Sequence, residues 1–567
     1  MLNKLRFRLA SADALPQLTL IAIFCGLFSG GVTLGFRMLV EILQASFLPG
    51  HTENYEALSP FFIVLIPTVG GLIVGLLLQL SHEDARKVGI VHVMERLAYH
   101  QGYLPLRNAV QQFVGAAICI VSGHSVGREG PSVHLGAASG SLLGQWFKLP
   151  NNSMQALIAC GTSAAIAASF NTPLAGVIFA MEVVMLEYTV MSFIPVILAA
   201  VIGDMMTRIA YGNELTFQVP PLTLTSHFEM VYLLLLGIVI GLCATAFIHL
   251  LQMTTVRWKH ITLWKRTTIA GLLTGIVGLC VPQIMGIGYD TVNAILLEQI
   301  GLWLLLAIAL SKLLITALGL GLGLPAGLIA PAYLIGAAIG GVIGVVGNYL
   351  FPQDISSYAL YAVLGMGAMM GATLQAPLAA LTALLEQTAN PHLILPGMLV
   401  IVISNLIVHS PPLSKPSVFI ALMRLRGLDY HYDPMVQALR RVGVASAMQK
   451  NFTVLSRHIA ANQARQALKN QPMWIVILED EQLTHILLAA DLALYLTENT
   501  EEQVDLIDMP GKRLQIKPTH LQATLQEAAE VLEQEKVDAL YVENRFRLSK
   551  TYSIHGILTR EDIEANY

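Results

Sequence analysis

Charge is what this 567-residue chain has least of. Only 12% of its residues are charged and 55% are hydrophobic, where a soluble domain has about 25% charged. That scarcity excludes an ordinary cytoplasmic enzyme and a disordered scaffold. A net charge of −4 leaves no basic excess for a phosphate backbone, which excludes a nucleic-acid partner. The five cysteines (Cys25, Cys119, Cys160, Cys243, Cys280) lie in apolar stretches without paired spacing, so neither a disulfide framework nor a zinc knuckle follows. No metal-ligand cluster, P-loop or nucleophile–base spacing is present, and the expectation is that the protein is not an enzyme. The basic start (MLNKLRFRLA) is followed by an apolar segment near Leu18 to Leu39, too long for a signal-peptide core and without a small-residue cleavage site. It reads as a retained first helix.

The few charges are unevenly spread. Residues 1–430 hold 37 of them, about 9%, and residues 431–567 hold 33, about 24%. The first part reads as a membrane body and the second as a soluble tail. Phe61–Leu80, Leu149–Met181, Leu313–Gln353, Ile355–Leu385 and Gln387–Ser414 contain no Asp, Glu, Lys or Arg, and about 20 apolar residues span a bilayer. Gly and Pro interrupt many of these runs. Broken helices at membrane depth are tolerated where they are buried in protein or line a cavity, which points to a transporter or channel. Glycine runs such as Gly319–Gly323 and Gly336–Gly341 allow close helix packing. Lys4, Arg6 and Arg8 favour a cytoplasmic start, and the polar tail is expected on the same side. Tyr and Trp near helix ends read as interfacial anchors.

An internal repeat organises the body. Gly161-TSAAIAASFNTPLAGVIFAM-Glu182 resembles Gly365-MGAMMGATLQAPLAALTALL-Glu386, each with Pro 12 residues after the Gly and Glu 9 residues after the Pro. Upstream, Gly127-Arg-Glu-Gly-Pro131 is mirrored by Gly327-Leu-Ile-Ala-Pro331. The repeat implies two halves, roughly 15–210 and 225–428, and membrane repeats of this kind are commonly inverted, with the substrate at their interface.

The two G-x-x-x-P segments read as helix starts. A helix start exposes unpaired N–H groups and the positive end of its dipole, so two of them converging would hold a small anion without any full positive charge. Glu129 sits inside one start, and an intramembrane carboxylate is functional by default. It would compete with the permeant anion and leave when protonated, giving a gate sensitive to anion and pH. The bland readings differ from residue to residue. Glu182 and Glu386 divide evenly between function and symmetric helix-end capping, and His134 is more simply a packed histidine than a proton carrier. In the tail, Met473–Leu478 and Ala539–Val542 read as strands and Leu521–Gln534 as a helix with one charged face.

These motifs, with Asn171-Thr-Pro-Leu-Ala-Gly176, resemble the CLC family of chloride channels and chloride/proton exchangers over almost the whole chain. The resemblance implies an all-α polytopic membrane protein, an inverted-repeat bundle of about eighteen helices, and a homodimer with one pore per subunit. It implies a multi-pass cell-membrane location and a cytoplasmic α/β tail, residues 431–567, made of two CBS modules (442–500 and 505–567), each expected as strand–turn–strand–helix. By position, Glu129 resembles the external gate, and the amides of Gly130, Leu328 and Ile329 resemble the anion-coordinating groups. Three departures stand out. The family's anion-binding serine is Val88, in Lys87-Val-Gly-Ile-Val91, and its anion-binding tyrosine is Phe419. The exchangers' proton glutamate is Val183, which cannot relay a proton. A central anion without either side-chain donor is expected to be weakly held. In the tail, Thr559 and Asp562 match the nucleotide-contacting pattern, while the first module keeps Asp491 but has Leu488 for the threonine. No cofactor is required, chloride is the ligand, and an adenine nucleotide in the tail stays open. The reading is a gated chloride channel. The alternatives are a chloride/proton antiporter with a non-standard internal proton route through Glu182 or Glu187, and a nucleotide-sensing CBS protein with a membrane anchor. Fluoride export is disfavoured because that branch departs from the proline kept here as Pro131.

Overall fold

The structure is a computed structural model that describes residues 6, 9–10, 14–50, 52–187, 190–213, 216–220, 222–226, 229–351, 355–428, 434–499, 501–543 and 554–565. Lys4 and Arg8 of the basic start lie outside the described residues. Two compact units divide the chain: one comprises 19–143 and 155–430, the other 1–18, 144–154 and 431–567.

The membrane unit is all-α. Among the described residues seventeen helices run from α1 to α17: α1 (Leu15–Ala45), α2 (Pro60–Leu80), α3 (Gly89–Tyr99), α4 (Leu106–Val121), α5 (Glu129–Phe147), α6 (Asn151–Phe170), α7 (Pro173–Phe179), α8 (Val190–Tyr211), α9 (Glu229–Arg257), α10 (Leu263–Gly278), α11 (Tyr289–Leu296), α12 (Leu302–Gly321), α13 (Ile329–Leu350), α14 (Tyr358–Leu374), α15 (Pro377–Thr388), α16 (Ile394–His409) and α17 (Val418–Leu425). A π-helical turn, Ala180–Met185, continues α7. Eight helices among the described residues are long and apolar enough to cross a membrane. Others are short because Gly and Pro end them, as the broken apolar runs predict.

Close packing of the central helices rests on glycine, because lipid supplies no hydrophobic drive between helices and backbones must approach one another. A Cβ on Gly336 would overlap the carbonyl of Gly365, and one on Gly365 the carbonyl of Gly336, where α13 crosses α14. The first half repeats this contact at Gly136 and Gly161, between α5 and α6.

The two halves also cap each other. α7 and α15 each begin at a proline, leaving first-turn N–H groups without helical partners. Glu386, from the second half, accepts from the amides of Leu174 and Ala175 at 2.9 and 2.8 Å. Glu182, from the first, accepts from Leu378 and Ala379 at 3.2 and 2.7 Å. The repeat's two glutamates are therefore reciprocal helix caps.

The tail unit carries α18 (Pro434–Arg441), α19 (Val444–Ala447), β1 (Phe452–Ser456), β2 (His458–Ala460), α20 (Ala461–Leu468), β3 (Trp474–Glu479), β4 (Gln482–Leu488), α21 (Ala489–Glu498), β5 (Gln503–Asp505), β6 (Arg513–His520), α22 (Leu525–Glu535), β7 (Ala539–Glu543), β8 (Ile554–Thr559) and α23 (Arg560–Glu564). One sheet has the order β1-β3-β4-β6-β7-β8. Within this sheet each module pairs a strand parallel to the next across a helix (β1 with β3, β6 with β7) and that one antiparallel to a third (β4, β8), while the short β2 and β5 pair apart from it. The expected strand–turn–strand–helix order is thus corrected to strand–helix–strand–strand–helix: the amphipathic segment supplies the crossover that a parallel pair requires. That helix, α22, starts at Leu525 rather than Leu521 because Thr524 and Glu527 form a capping box.

Glu386→Ala is expected to cost about 1–2 kcal/mol, since it strips the cap from α7. Thermal unfolding in detergent measures this, and Glu182→Ala should give a matching loss.

Candidate functional site

The site forms where the two G-x-x-x-P loops meet. Gly127 and Gly327 exchange both backbone hydrogen bonds, N to O, at 2.7 Å, an isolated antiparallel bridge between the halves. The bridge sets the starts of α5 and α13 side by side. Gly130 is the second residue of α5, Leu328 immediately precedes α13, and Ile329 opens it. First-turn amides have no partner within their own helix, so this junction concentrates N–H groups and two positive dipole ends.

Glu129 is fully buried at that junction, away from the lipid-facing exterior. A Cβ on Gly127 would strike its Oε2, and one on Gly327 would lie 2.8 Å from it. The carboxylate therefore lies in a seat that only two glycines leave open. Its Oε1 accepts from the Tyr289 hydroxyl at 3.2 Å. The backbone amides of Glu129 itself and of Ala330 lie near it, while its Oε2 has no hydrogen-bond partner among the described residues. Arg128 points elsewhere: it donates to the Ser169 carbonyl at 2.8 Å and lies 4.0 Å from Glu41. Beside Glu129, a cavity of about 340 Å³ is lined by Arg37, Glu41, Glu53, Arg128, Tyr289 and Asp290, among others. Burial and the adjacent Asp290 raise the Glu53 carboxyl above the ordinary carboxylate range, against the pull of Arg128.

A second intramembrane carboxylate shows the contrast. Glu229, which the sequence patterns did not single out, accepts from Ser356 N at 2.8 Å, Ser356 Oγ at 2.8 Å, Tyr361 Oη at 2.7 Å and Thr225 N at 3.2 Å. A buried carboxylate held by that many donors is structural, whereas one leaning on a single side-chain hydroxyl is free to be displaced.

The positions of the family's other anion donors are apolar. Val88 is the half-buried residue preceding α3, and the amide that follows it, Gly89 N–H, donates to Gln112 Oε1 at 2.6 Å. Gln112 in turn donates to the Pro325 carbonyl at 2.7 Å, so the start of α3 is spoken for by a bridge between halves. Phe419 is 5% exposed in the first turn of α17. Val183 lies in the π-helical turn, 3% exposed.

In the tail, Thr559 and Asp562 are paired with each other. Thr559 Oγ1 donates to Asp562 Oδ2 at 2.7 Å, the Asp562 amide returns to Thr559 Oγ1 at 3.2 Å, and Gln449 donates to Asp562 Oδ1 at 2.7 Å. Together they form the capping box of α23. Asp491 stands in the first turn of α21, behind a Leu488 that makes no side-chain cap.

Two outcomes follow. Phe419→Tyr is expected to raise chloride affinity about tenfold, since a hydrogen bond to an ion is worth roughly 1.5–3 kcal/mol. Isothermal calorimetry measures it, and an unchanged affinity would put the ring outside the anion path. Thr559→Ala should cost the tail about 1 kcal/mol as a lost cap, read from its thermal unfolding.

The family model described as voltage gated chloride channel matches residues 70–409. A putative chloride channel protein, ClcB-like, of Ralstonia nicotianae is 31% identical over 409 residues, covering 70% of this chain and 95% of the relative. The H(+)/Cl(-) exchange transporter ClcA of Vibrio cholerae is 30% identical over 294 residues, 50% of this chain and 63% of the relative. Among solved structures, a slow cyanobacterial Cl-/H+ antiporter aligns with a TM-score of 0.64 at 23% identity, over 72% of this chain and 98% of the other. A eukaryotic CLC transporter aligns with a TM-score of 0.60 at 19% identity, over 99% of this chain and 98% of the other. These two likenesses bear on fold alone, and the second extends through the tail, whose two β-α-β-β-α modules fit a CBS pair. A multi-pass membrane protein with a duplicated helical body and a paired glycine loop at its centre, the chain belongs to the CLC family of chloride transport proteins.

Proposed function

We propose that this protein conducts chloride passively across the cell membrane, with Glu129 as the gate and the amides of Gly130, Leu328 and Ile329 as the anion's ligands. The observation that carries the reading is the seat of the Glu129 carboxylate, between two helix starts and against Gly127 and Gly327. A carboxylate there occupies the space an anion would use. Passive conduction rather than exchange is supported by Val183 and by the fate of the neighbouring acids: Glu182 and Glu386 are committed to capping. The Ralstonia relative is named a chloride channel and the Vibrio relative an exchanger, so the relatives' names leave both modes in view.

The reading includes a homodimer with one pore per subunit, an N-terminus and CBS tail in the cytoplasm, and no required cofactor. With that orientation the cavity beside the gate faces outside, because its Phe36, Arg37, Glu41 and Gln44 form the far end of α1.

One observation favours exchange. His134 and His92 are both buried, with His92 Nδ1 2.9 Å from His134 Nε2. Arg96 Nε donates to His92 Nε2 at 3.1 Å. Paired imidazoles are a proton route of a kind the family glutamate does not supply. Against it stand the burial of His92, the adjoining His134 ring and the cations Arg96, Arg426 and Lys87, the last two paired with Glu95 at 3.5 and 2.9 Å. Such surroundings disfavour an added proton.

Reversal potential in a chloride gradient, with and without a superimposed proton gradient, separates the modes. The expected result is no shift on imposing the proton gradient. A shift abolished by His134→Leu would establish the histidine route instead. Glu129→Gln should mimic the protonated gate and make chloride flux nearly independent of pH, and flux that stays blocked at high pH would place the gate elsewhere. A nucleotide-sensing protein with a membrane anchor predicts heat on adding ATP or AMP to the full-length protein without chloride flux.

A further inference from the structure

Among the polar side chains around the gate, one has a place that neither the family motifs nor the gate reading assigns. Tyr289 is the first residue of α11 and forms part of the wall between the cavity and the Glu129 carboxylate. Its hydroxyl donates to Glu129 Oε1 at 3.2 Å, the only side-chain hydrogen bond given to that carboxylate among the described residues.

The phenol is held from several sides. Its ring meets Phe217 edge-on at 5.3 Å and Phe170 at 6.5 Å, and the Arg128 guanidinium lies 5.2 Å from its centre. Its backbone amide donates to Glu53 Oε2 at 3.1 Å. The residue before it, Gly288, has φ +92°, the left-handed turn that lets the chain enter α11 there. The loop leading into that turn is pinned from beneath by Lys312, a fully buried ammonium on α12. It donates to the carbonyls of Ile284, Gly286 and Ile287 at 2.9, 2.9 and 3.4 Å. A buried lysine is costly. Here its three hydrogen bonds fix the segment that carries Tyr289.

We propose that Tyr289 is the latch of the gate: its hydroxyl holds the Glu129 carboxylate in the seat between the two helix starts, and Lys312 sets where that hydroxyl stands. Tyr289 is a positioning residue that acts through Glu129, so the inference rests on the gate reading above. A phenol O–H stabilises the ionised carboxylate that blocks the path. An anion entering the seat must break this bond as well as the carboxylate's contacts with the amides. Protonation of Glu129 weakens the bond and frees the arm. Among the described residues, the charged and titratable groups facing Glu129 are Arg128 just before its helix, Tyr289 on α11 and Tyr333 on α13, with Lys312 on α12 beyond them. From the cavity side Glu53 faces both Tyr289 and Lys312, and Asp290 faces Lys312. All of these stay in place in Tyr289→Phe, which removes one oxygen and keeps the ring against Phe217 and Phe170.

The test is chloride efflux from proteoliposomes across a pH series for the wild type, Tyr289→Phe, Glu129→Gln and the double variant. The expected effect of Tyr289→Phe is a rise in efflux at neutral pH of about tenfold, with the midpoint of the efflux–pH curve displaced toward alkaline pH by about one unit. In the Glu129→Gln background the same change should do nothing, because the latch has no carboxylate to hold. An unchanged curve for Tyr289→Phe, with a thermal midpoint matching the wild type, overturns the latch while leaving the gate standing. Equal acceleration in both backgrounds overturns it too, since the hydroxyl would then act on the anion path directly. If Glu129→Gln itself keeps a pH-dependent efflux, the gate reading fails and the latch falls with it, an outcome distinct from the other two.

Discussion

Unpaired backbone amides in a place without water are the constraint on which this structure depends. Breaking helices inside a membrane leaves first-turn N–H groups that nothing in the hydrocarbon can satisfy. The fold answers by exchange between its two halves: Glu386 caps α7, Glu182 caps α15, and Gln112 takes the start of α3 while holding Pro325 of the other half. Two starts are treated differently. Those of α5 and α13 are tied together at Gly127 and Gly327 and face the carboxylate of Glu129. On the proposed reading, an anion does at this junction what a glutamate does at the starts of α7 and α15.

The same accounting separates the buried acids. Glu229 has four donors and Glu182 and Glu386 have paired amides, so their charges are fixed in place. Glu129 leans on Tyr289 and on amides that an anion could equally use. The proposed gate rests on this incomplete satisfaction. Intramembrane location by itself does not distinguish Glu129 from Glu229.

Much of this was legible in the sequence because its chemistry is local. Gly127–Pro131 and Gly327–Pro331 state a loop and a helix start in five residues each, and the duplicated Pro-to-Glu spacing shows that the two halves are alike. The same spacing left Glu182 and Glu386 undecided, because a capping partner about 200 residues away leaves no local trace. Gln112 bonds 213 residues away and Tyr289 reaches 160 residues back, so neither has a pattern to betray it. Lys312 and Glu229 look like stray charges at the ends of apolar runs until the carbonyls and amides they serve are seen. In the tail the strands were legible from alternation, and the start of α22 was written in Thr524 and Glu527. The order of the module was not, because a parallel pair is defined by a crossover rather than by either strand.

The central claim is that the Glu129 carboxylate and the permeant anion share one seat. Anomalous diffraction from bromide-soaked crystals of Glu129→Gln tests it directly. The account predicts a bromide peak between the starts of α5 and α13, against the amides of Gly130, Leu328 and Ile329, and a far weaker peak there in the wild type. Bromide of equal strength in both proteins, or absent from that junction in the variant, would contradict it.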